Sequence, residues 1–328
     1  MTIAWPEFVS IIRDPKHQKI LLTSHIRPDC DALGSELGMA GVLDALGKEV
    51  RIVNGHPTPP NLSFIDPQNR IQVLDQDITL DQLQDTDLMM VLDTSAWAQL
   101  GPMGEAIKQL PCKKIILDHH VSSDDLGAQP FKNTTAEAAG RLVFEAAGEL
   151  GVALTAEIAR PLFAAIATDT GWFRFNSVSS STYEVAAKLI EAGASPNDIY
   201  AELYERDTIG RLRLRGTILE RTQCELDGRL AHTYVLKEDF ERTGALPSDT
   251  EDVINMTMAI KGVEAAAILV GQKDGGFKIS FRSRCKMDCS QVAELFGGGG
   301  HKAAAGAFSN EPFETAQAKV LEAVKNAM

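Results

Sequence analysis

Acidic and imidazole side chains follow the ends of four apolar segments in the first half of this 328-residue sequence. Carboxylate oxygens combined with one or two imidazoles suit Mn²⁺ or a similar divalent cation better than the zinc of a thiolate site. Six of these side chains are predicted metal ligands, namely His25, Asp29, Asp31, Asp93, His119 and Asp169. Asp118 and His120 belong to the same set.

The charge of this set predicts two divalent cations, because its four aspartate ligands carry a negative charge that two such cations would balance. Two metals about 3.5–4 Å apart can share a hydroxide nucleophile and clamp the phosphoryl oxygens during an in-line displacement. The ligand types favour Mn²⁺ but do not separate it from Mg²⁺ or Co²⁺. A single strand-end aspartate is often only a helix N-cap, so the prediction rests on the set as a whole.

The overall charge limits the kind of ligand. The net charge is −13 and the sequence pI is near 5.0. Proteins that grip long duplexes usually carry a basic face, because counterion release drives that binding. The sequence therefore argues against extended duplex nucleic acid. It favours a small anionic ligand, whose charge bound cations can offset at one site.

The five cysteines are scattered and form no CxxC pair, which indicates neither a disulfide framework nor a structural zinc site. The first residues lack the regions of a signal peptide, and no apolar stretch is long enough to cross a bilayer. We therefore expect a cytoplasmic protein with no membrane partner. Cys30 lies between two predicted ligands; a tolerated spacer is favoured over ligation of a soft metal or a site of oxidation.

Apolar runs alternate with helical patterns in the first half, which is typical of a parallel sheet with crossover helices. The predicted strands cover residues 19–24, 50–54, 88–92 and 114–117. The predicted helices cover residues 32–46, 136–150, 158–168 and 180–192. Ligands of an open α/β sheet bind beyond the carboxyl ends of the strands. We therefore expect the acids and imidazoles to converge at one edge of the sheet.

The second half has a different pattern, which begins with a charged, helix-prone stretch around residues 195–225. Shorter strands are predicted after it over 230–236, 265–272 and 276–282, with helices over 250–258, 289–295 and 313–327. The predicted fold class is α/β with two domains of ordinary size. They are a parallel-sheet domain over 1–195 and a smaller mixed α/β domain over 226–328, joined by a helical linker over 196–225.

Five ordered motifs resemble those of the DHH phosphoesterase superfamily. The motifs are HIRPDCDALGS at 25–35, VLDTS around Asp93, DHH at 118–120, ATDTGWFRF around Asp169 and GGGGHKAAAG at 297–306. The last one resembles the signature of the superfamily's C-terminal DHHA1 domain, which binds substrate, and ISFRSR at 279–284 is similar to that domain's substrate-contacting strand. Within the superfamily, the compact two-domain length of the chain is similar to that of the group that degrades nanoRNA and dephosphorylates 3′-phosphoadenosine 5′-phosphate (pAp).

The resemblance implies a division of the predicted ligands between two metals, with Asp93 as the bridge. The two ligand sets are His25, Asp29 and Asp93, and Asp31, Asp93, His119 and Asp169. The resemblance also implies that His120 lies toward the phosphate, where it stabilises developing charge or assists proton transfer. Asp118 is then expected to orient an imidazole, as metal-bound histidines usually require.

A second set of residues is expected near the substrate in the C-terminal domain, again from the resemblance. The set is Arg282, Ser283, Gly298, Gly299, Gly300 and His301. A planar guanidinium suits a bidentate contact with a terminal phosphate, and successive glycine N–H groups can form a nest for an anion. From the residues alone, a solvated arginine and a flexible glycine turn explain the same pattern.

The expected function is hydrolysis of pAp and of very short RNA, and a homodimer is a further expectation from the family. One alternative is a cyclic or linear dinucleotide phosphodiesterase. A second is a family II inorganic pyrophosphatase, whose second domain lacks the glycine-rich signature found here. A third is a non-catalytic DHH scaffold that binds nucleic acid or protein; it requires missing ligands, and this sequence lacks none of them.

Overall fold

The computed structural model of the chain describes residues 3–121, 124–250 and 253–328. The chain divides into two compact units, Met1–Glu205 and Arg206–Met328. No helix in the described part of the chain is both long enough and apolar enough to span a membrane.

A six-stranded sheet forms the centre of the first unit. Its strands are β1 (Lys19–Thr23), β2 (Glu49–Asn54), β3 (Ile71–Val73), β4 (Leu88–Leu92), β5 (Lys113–Asp118) and β6 (Gln129–Lys132). All neighbouring strands are parallel, in the order β3-β2-β1-β4-β5-β6. Every residue of β4 is buried, as expected of a parallel strand covered on both faces.

Helices cover both faces of this sheet. They are α1 (Trp5–Arg13), α2 (Cys30–Ala45), α3 (Trp97–Leu100), α4 (Met103–Gln109), α5 (Ala139–Glu149), α6 (Ala156–Asp169), α7 (Ser180–Glu191) and α8 (Pro196–Tyr204). Leu88, Met90 and Leu92 of β4 join a core with α1, α2, α5 and α6. Met89 and Val91 join a second core with α4, because successive side chains of a strand point to opposite faces.

Helices α2 and α6 approach each other closely at Gly34 of α2, which has no side chain to keep them apart. A Cβ atom built on Gly34 would lie only 2.4 Å from the carbonyl oxygen of Pro161, so a larger residue would push the helices apart. α2 carries Asp31 in its first turn and α6 ends at Asp169. This contact therefore fixes the relative position of two predicted metal ligands.

The second unit contains a mixed sheet. Its strands are β7 (Gln223–Glu225), β8 (Leu230–Val235), β9 (Ala265–Gly271), β10 (Phe277–Ser283), β11 (Gly299–His301) and β12 (Ala304–Ser309). The order is β11-β12-β10-β9-β8-β7, with β8 and β9 parallel and the other pairs antiparallel. Its helices are α9 (Ile209–Glu220), α10 (Lys237–Thr243), α11 (Val253–Met258), α12 (Cys289–Glu294) and α13 (Phe313–Ala327).

The predicted fold class is confirmed, and the predicted strands and helices agree with the structure to within a few residues. Of the predicted helix over 250–258, residues 251–252 lie outside the described residues. The segment predicted as a linker divides between the units: α8 belongs to the first, and α9 and β7 belong to the second. The domain limits at 195 and 226 stay a prediction.

Candidate metal centre

The carboxyl ends of β1, β4 and β5 meet at one edge of the first sheet. His25 follows β1 after one intervening residue, Asp93 directly follows β4, and Asp118 is the last residue of β5. From β1 the chain moves through β2 and β3 to one side, and from β4 it moves through β5 and β6 to the other side. Such a reversal leaves a crevice at the strand ends where ligands bind. His25 and Asp93 lie on opposite sides of this reversal.

Two helix ends bring further carboxylates to the same edge, with Asp29 at the start of α2 and Asp169 at the end of α6. Asp29 is the N-cap of α2, where its Oδ1 accepts hydrogen bonds from the backbone N–H groups of Asp31 and Ala32, both at 3.0 Å. The same Oδ1 lies 3.8 Å from Nε2 of His25. Asp29 is therefore both a helix cap and a candidate ligand, so the two interpretations of a strand-end aspartate do not exclude each other.

The structure brings all six predicted ligands together. They form three overlapping groups in which the candidate ligand atoms of each group lie within 4.8 Å of one another. The groups are His25, Asp29 and Asp93; Asp31, His119 and Asp169; and Asp93, His119 and His120. The first group is the first predicted ligand set, and the second group contains the second predicted set except Asp93, whose Oδ1 lies 3.3 Å from Nε2 of His119. The division of the ligands between two metals stays a prediction.

Asp93 lies between these groups and is only 2% exposed. Its Oδ2 lies 3.4 Å from Nε2 of His25, and its Oδ1 lies 3.3 Å from Nε2 of His119. Oδ1 is buried without a well-directed hydrogen bond, which is costly for a carboxylate oxygen unless a cation lies nearby. The backbone of Asp93 is left-handed, with φ +60°. Such conformations are rare for residues other than glycine and cluster at functional sites.

Both candidate histidine ligands are oriented by backbone carbonyl groups. Nδ1 of His25 lies 2.9 Å from the carbonyl oxygen of Ile26, and Nδ1 of His119 lies 3.1 Å from that of Ala136. A carbonyl can only accept, so these contacts favour the tautomer with the proton on Nδ1 and a free lone pair on Nε2. Metal-binding histidines usually have this arrangement.

The electrostatics of the cluster also fit bound cations. Burial, together with the charges of Asp93 and Asp169, raises the pKa of Asp31 well above its usual value. Burial and the charge of Asp93 raise the pKa of Asp169 to about 6, against the opposing effect of His119. Burial lowers the pKa of His119, but its contact with Asp93 and the charge of Asp31 outweigh burial and raise it to about 10. The raised pKa values of Asp31 and Asp169 reflect repulsion among the carboxylates, and that of His119 reflects their attraction for positive charge. A divalent cation would satisfy that attraction and relieve the repulsion.

Backbone groups at the start of α5 hold Asp31. The N–H of Ala139 donates to Oδ2 at 2.7 Å, and the N–H of Gly140 donates to Oδ1 at 2.9 Å. The hydroxyl of Ser35 lies 3.3 Å from Oδ1. These bonds fix the rotamer of Asp31, and Oδ2, which accepts from only one of these donors, keeps a second lone pair for a cation.

Asp118 is completely buried behind the cluster and contacts His120, with Oδ1 2.9 Å from Nδ1. Its Oδ2 accepts from the hydroxyl of Ser95 at 2.6 Å and from Nζ of Lys132 at 2.9 Å. Burial would raise the pKa of Asp118, but the hydrogen bonds from these three side chains hold it below its usual value. Ser95 and Lys132 were not predicted from the sequence. Ser95 lies within the VLDTS motif, whereas Lys132 lies on the edge strand β6 with no local signal.

Cys30 belongs to the apolar core of the first unit and is 4% exposed. Burial raises the pKa of its thiol to about 12, so the sulfur stays protonated at neutral pH and is a poor metal ligand. This environment agrees with the interpretation of Cys30 as a spacer between Asp29 and Asp31.

In the second unit, Arg282 and His301 lie on the same row of the mixed sheet. Arg282 on β10 and His301 on β11 both pair with Ala304 on β12, which runs between them. Directly paired residues share a face of a sheet, so the two side chains leave the same face about 9–10 Å apart. His301 is exposed and Arg282 is half-buried, an arrangement that suits an anion held between them.

The glycine run at 297–300 is required by packing, because two of its members lie too close to the backbone of β12 for a side chain. A Cβ on Gly298 would lie 2.2 Å from the carbonyl oxygen of Gly306, and one on Gly300, which has φ +150°, would lie 2.7 Å from Cα of Ala305. The N–H of Gly298 donates to the carbonyl of Ala293 and is therefore not free for an anion. The hydroxyl of Ser283 accepts from the N–H of Cys285 at 3.2 Å. Substrate contacts for Ser283 and for Gly298, Gly299 and Gly300 stay a prediction.

Comparison with known proteins matches both halves of the chain. The DHH family N-terminal domain matches residues 19–166, and the DHHA1 domain matches residues 227–328. The bifunctional oligoribonuclease and PAP phosphatase NrnA of Thermus thermophilus is 30% identical over 312 residues, which is 93% of this chain and 89% of that protein. The protein of the same name from Bacillus subtilis is 26% identical over 298 residues, or 89% of each chain.

A solved structure also resembles the whole chain. The exopolyphosphatase-related protein from Bacteroides fragilis is 28% identical, with a TM-score of 0.87 over 98% of this chain and 95% of that one. The resemblance found in the motifs is therefore confirmed along the length of the sequence. The chain belongs to the DHH family and consists of a DHH domain followed by a DHHA1 domain.

Proposed function

We propose that this protein is a two-metal phosphoesterase that hydrolyses short oligoribonucleotides and pAp. The observation that carries the proposal is the position of Asp93, whose two carboxylate oxygens face two different histidines, His25 and His119. A carboxylate in that position can bind one cation through each oxygen. Bridging carboxylates of this kind hold the metal pairs of many phosphate-cleaving enzymes.

Two divalent cations would be held by the two sets that share Asp93. The first set is His25, Asp29 and Asp93, and the second is Asp31, Asp93, His119 and Asp169. Bound there, the cations would offset the carboxylate charge, attract a phosphate group and lower the pKa of a water nucleophile. Oxygen and imidazole ligands without thiolate support Mn²⁺ as the ion, with Mg²⁺ and Co²⁺ as alternatives.

His120 is proposed to act on the substrate directly. Its side chain is 48% exposed, and the contact of Nδ1 with Asp118 leaves Nε2 directed elsewhere. From that position, His120 can donate a proton to the leaving oxygen or stabilise charge that develops on the phosphoryl group. Asp118 keeps the ring oriented, and Ser95 and Lys132 in turn hold Asp118.

Short nucleotides are proposed as substrates for two reasons. The relatives from Thermus thermophilus and Bacillus subtilis are named for oligoribonuclease and PAP phosphatase activities, and a net charge of −13 disfavours long nucleic acid. Arg282 and His301, on one face of the mixed sheet, are proposed to bind a terminal phosphate. A cytoplasmic location and a homodimer belong to the same proposal, and the mass in solution tests the homodimer.

The test is a substrate panel with Mn²⁺ that contains pAp, pApA, a trinucleotide, a long RNA, cyclic di-AMP and pyrophosphate. We expect rapid release of phosphate from pAp and of mononucleotides from the short RNAs, and slow reaction with the other substrates. The matched variants are Asp93→Asn, expected to be inactive, and Asp198→Asn at an exposed helix start, expected to be fully active. Preference for the long RNA, for cyclic di-AMP or for pyrophosphate would reject the substrate assignment, and no hydrolysis at all would favour the scaffold alternative.

A further inference from the structure

Glu36 is a completely buried carboxylate that no step of the proposed reaction uses. It lies on α2, has 0% exposure and makes no salt bridge within the part of the chain that the structure describes. One oxygen, Oε2, accepts a hydrogen bond from Nδ2 of Asn54 at 2.9 Å, while Oε1 has no hydrogen-bond partner. Burial of such a group is expensive, and burial raises its pKa to about 8. An apolar residue would fill this position at lower cost if packing were the only requirement.

Asn54 connects Glu36 to the strand ends that carry the candidate ligands. Asn54 is the last residue of β2, and its Oδ1 accepts from the backbone N–H of Ser24 at 3.1 Å. The hydroxyl of Ser24 then donates to the carbonyl oxygen of Leu92 at 2.8 Å. Ser24 directly precedes His25, and Leu92 directly precedes Asp93. The hydrogen bonds thus run from α2 through β2 to the end of β1 and then to the end of β4.

Glu36 determines which way the amide of Asn54 points. The N–H of Ser24 needs an acceptor, so Asn54 must turn its oxygen toward β1 and its NH₂ group toward α2. Glu36 stabilises this orientation, because its Oε2 accepts a hydrogen bond from the NH₂ group of Asn54. If the amide flipped, two N–H donors would face each other at Ser24 and an oxygen would face the carboxylate of Glu36. The contact between the two donors at Ser24 would be repulsive inside the protein.

We propose that Glu36 and Asn54 are positioning residues that hold His25 and Asp93 at the separation required for a shared metal. This inference rests on the proposed two-metal function. Glu36 itself binds no metal: it lies outside all three groups of candidate ligands. Hydrogen-bonded groups behind metal ligands commonly change metal affinity by about 10- to 100-fold when they are removed, because small displacements of a ligand weaken coordination.

The test exchanges donor and acceptor between the two residues. Asn54→Leu removes both the acceptor for Ser24 and the donor to Glu36. We expect it to lower the Mn²⁺ affinity of the site containing His25 by about tenfold or more, with less change at the other site. Glu36→Gln combined with Asn54→Asp reverses the direction of the hydrogen bond and keeps the acceptor for Ser24. We expect this double variant to recover the affinity to within about twofold. Calorimetric titration with Mn²⁺ measures both sites without reference to activity.

Two control variants separate the loss of this hydrogen-bond network from a general loss of stability. Glu36→Gln alone can present its carbonyl oxygen to Asn54, so we expect nearly unchanged Mn²⁺ affinity. Thr182→Val removes a buried hydroxyl at the start of α7, and we expect lower thermal stability with unchanged Mn²⁺ affinity. The proposal is overturned if Asn54→Leu binds Mn²⁺ like the wild type, or if the double variant binds no better than Asn54→Leu. Normal Mn²⁺ binding by a wild-type protein that hydrolyses no nucleotide would reject the proposed function and leave this inference intact.

Discussion

Oδ1 of Asp93 lies 3.3 Å from Nε2 of His119, and the other oxygen of the same carboxylate faces His25 at 3.4 Å. Asp93 directly follows β4, and its backbone there is left-handed, with φ +60°. Hydrogen bonds that Ser24 donates to Oδ1 of Asn54 and to the carbonyl oxygen of Leu92 connect the end of β1 to the ends of β2 and β4. The geometry therefore assigns Asp93 the central part in the proposed metal site.

Replacement of Asp93 by asparagine tests the proposal that Asp93 bridges the two cations. Because asparagine keeps the shape but loses the charge and one anionic oxygen, we expect Asp93→Asn to lower kcat by at least about a hundredfold. We expect Arg282→Ala to cost less and to act mainly through KM, since a residue that binds substrate and transition state alike changes KM. Steady-state kinetics with pAp measure both. A variant of Asp93 that keeps Mn²⁺-dependent activity would contradict the assignment.

His120 is expected to contribute to chemistry and not to metal binding. His120→Gln should retain both cations and lower kcat by about a hundredfold, the usual size of a general acid contribution. Mn²⁺ stoichiometry from a titration and kcat from single-turnover kinetics separate the two effects. If the variant lost a metal, His120 would have to be regrouped as a ligand. If kcat stayed unchanged, a proton-transfer role would be excluded.

The buried carboxylate of Asp239 in the second unit should make stability depend on pH. Burial would raise its pKa, but hydrogen bonds from Arg221 and Arg242 lower it below the usual value. A carboxyl whose folded pKa is depressed stabilises the protein above its unfolded pKa, and the effect disappears as the pH falls through the folded value. With a side chain only 5% exposed, Asp239→Asn should lower the free energy of unfolding by about 1.5–3 kcal/mol at pH 7.

Urea unfolding of the wild type and the variant at pH 7 and near pH 3 measures this difference, which should shrink at the lower pH. Glu311→Gln is the matched control, because Glu311 pairs with Lys319 at the surface and exposed pairs contribute at most about 1 kcal/mol. A difference for Asp239→Asn that grows toward acid pH would contradict the assignment of its pKa.

The close approach of α2 and α6 makes Gly34 intolerant of a side chain. A Cβ at this position would lie 2.4 Å from the backbone oxygen of Pro161, so we expect Gly34→Ala to cost about 1–3 kcal/mol. Gly148 on α5 has nothing within 4 Å of an added Cβ, and Gly148→Ala should stabilise by up to about 1 kcal/mol because alanine favours helix. Equal thermal stability of the two variants would show that the helices separate freely.

Much of the first unit could be predicted from the sequence, because buried parallel strands appear as continuous apolar runs. The run at 88–92 is the clearest example, since each of its residues is buried. Topology then placed His25 and Asp93 at the same edge, because parallel strands end together. The short strands β3 and β6 were not predicted, since three or four residues carry too little pattern to separate them from loops.

The support behind the ligands was not predictable for a different reason. Lys132 reaches Asp118 from β6, and Glu36 reaches Asn54 from a helix. Each contact joins residues that are distant in sequence, and a single lysine or glutamate is ordinarily assigned to the surface. The left-handed backbone of Asp93 also has no signal in the sequence. Residues other than glycine adopt this conformation only where tertiary contacts hold them in it.

The most direct test of the central claim is the anomalous scattering of Mn²⁺ in crystals of the protein soaked with that ion. We expect two peaks in the first unit, about 3.5–4 Å apart, with one oxygen of Asp93 bound to each. One ion would also contact His25 and the other His119. A single peak, or two peaks that do not share Asp93, would contradict the claim.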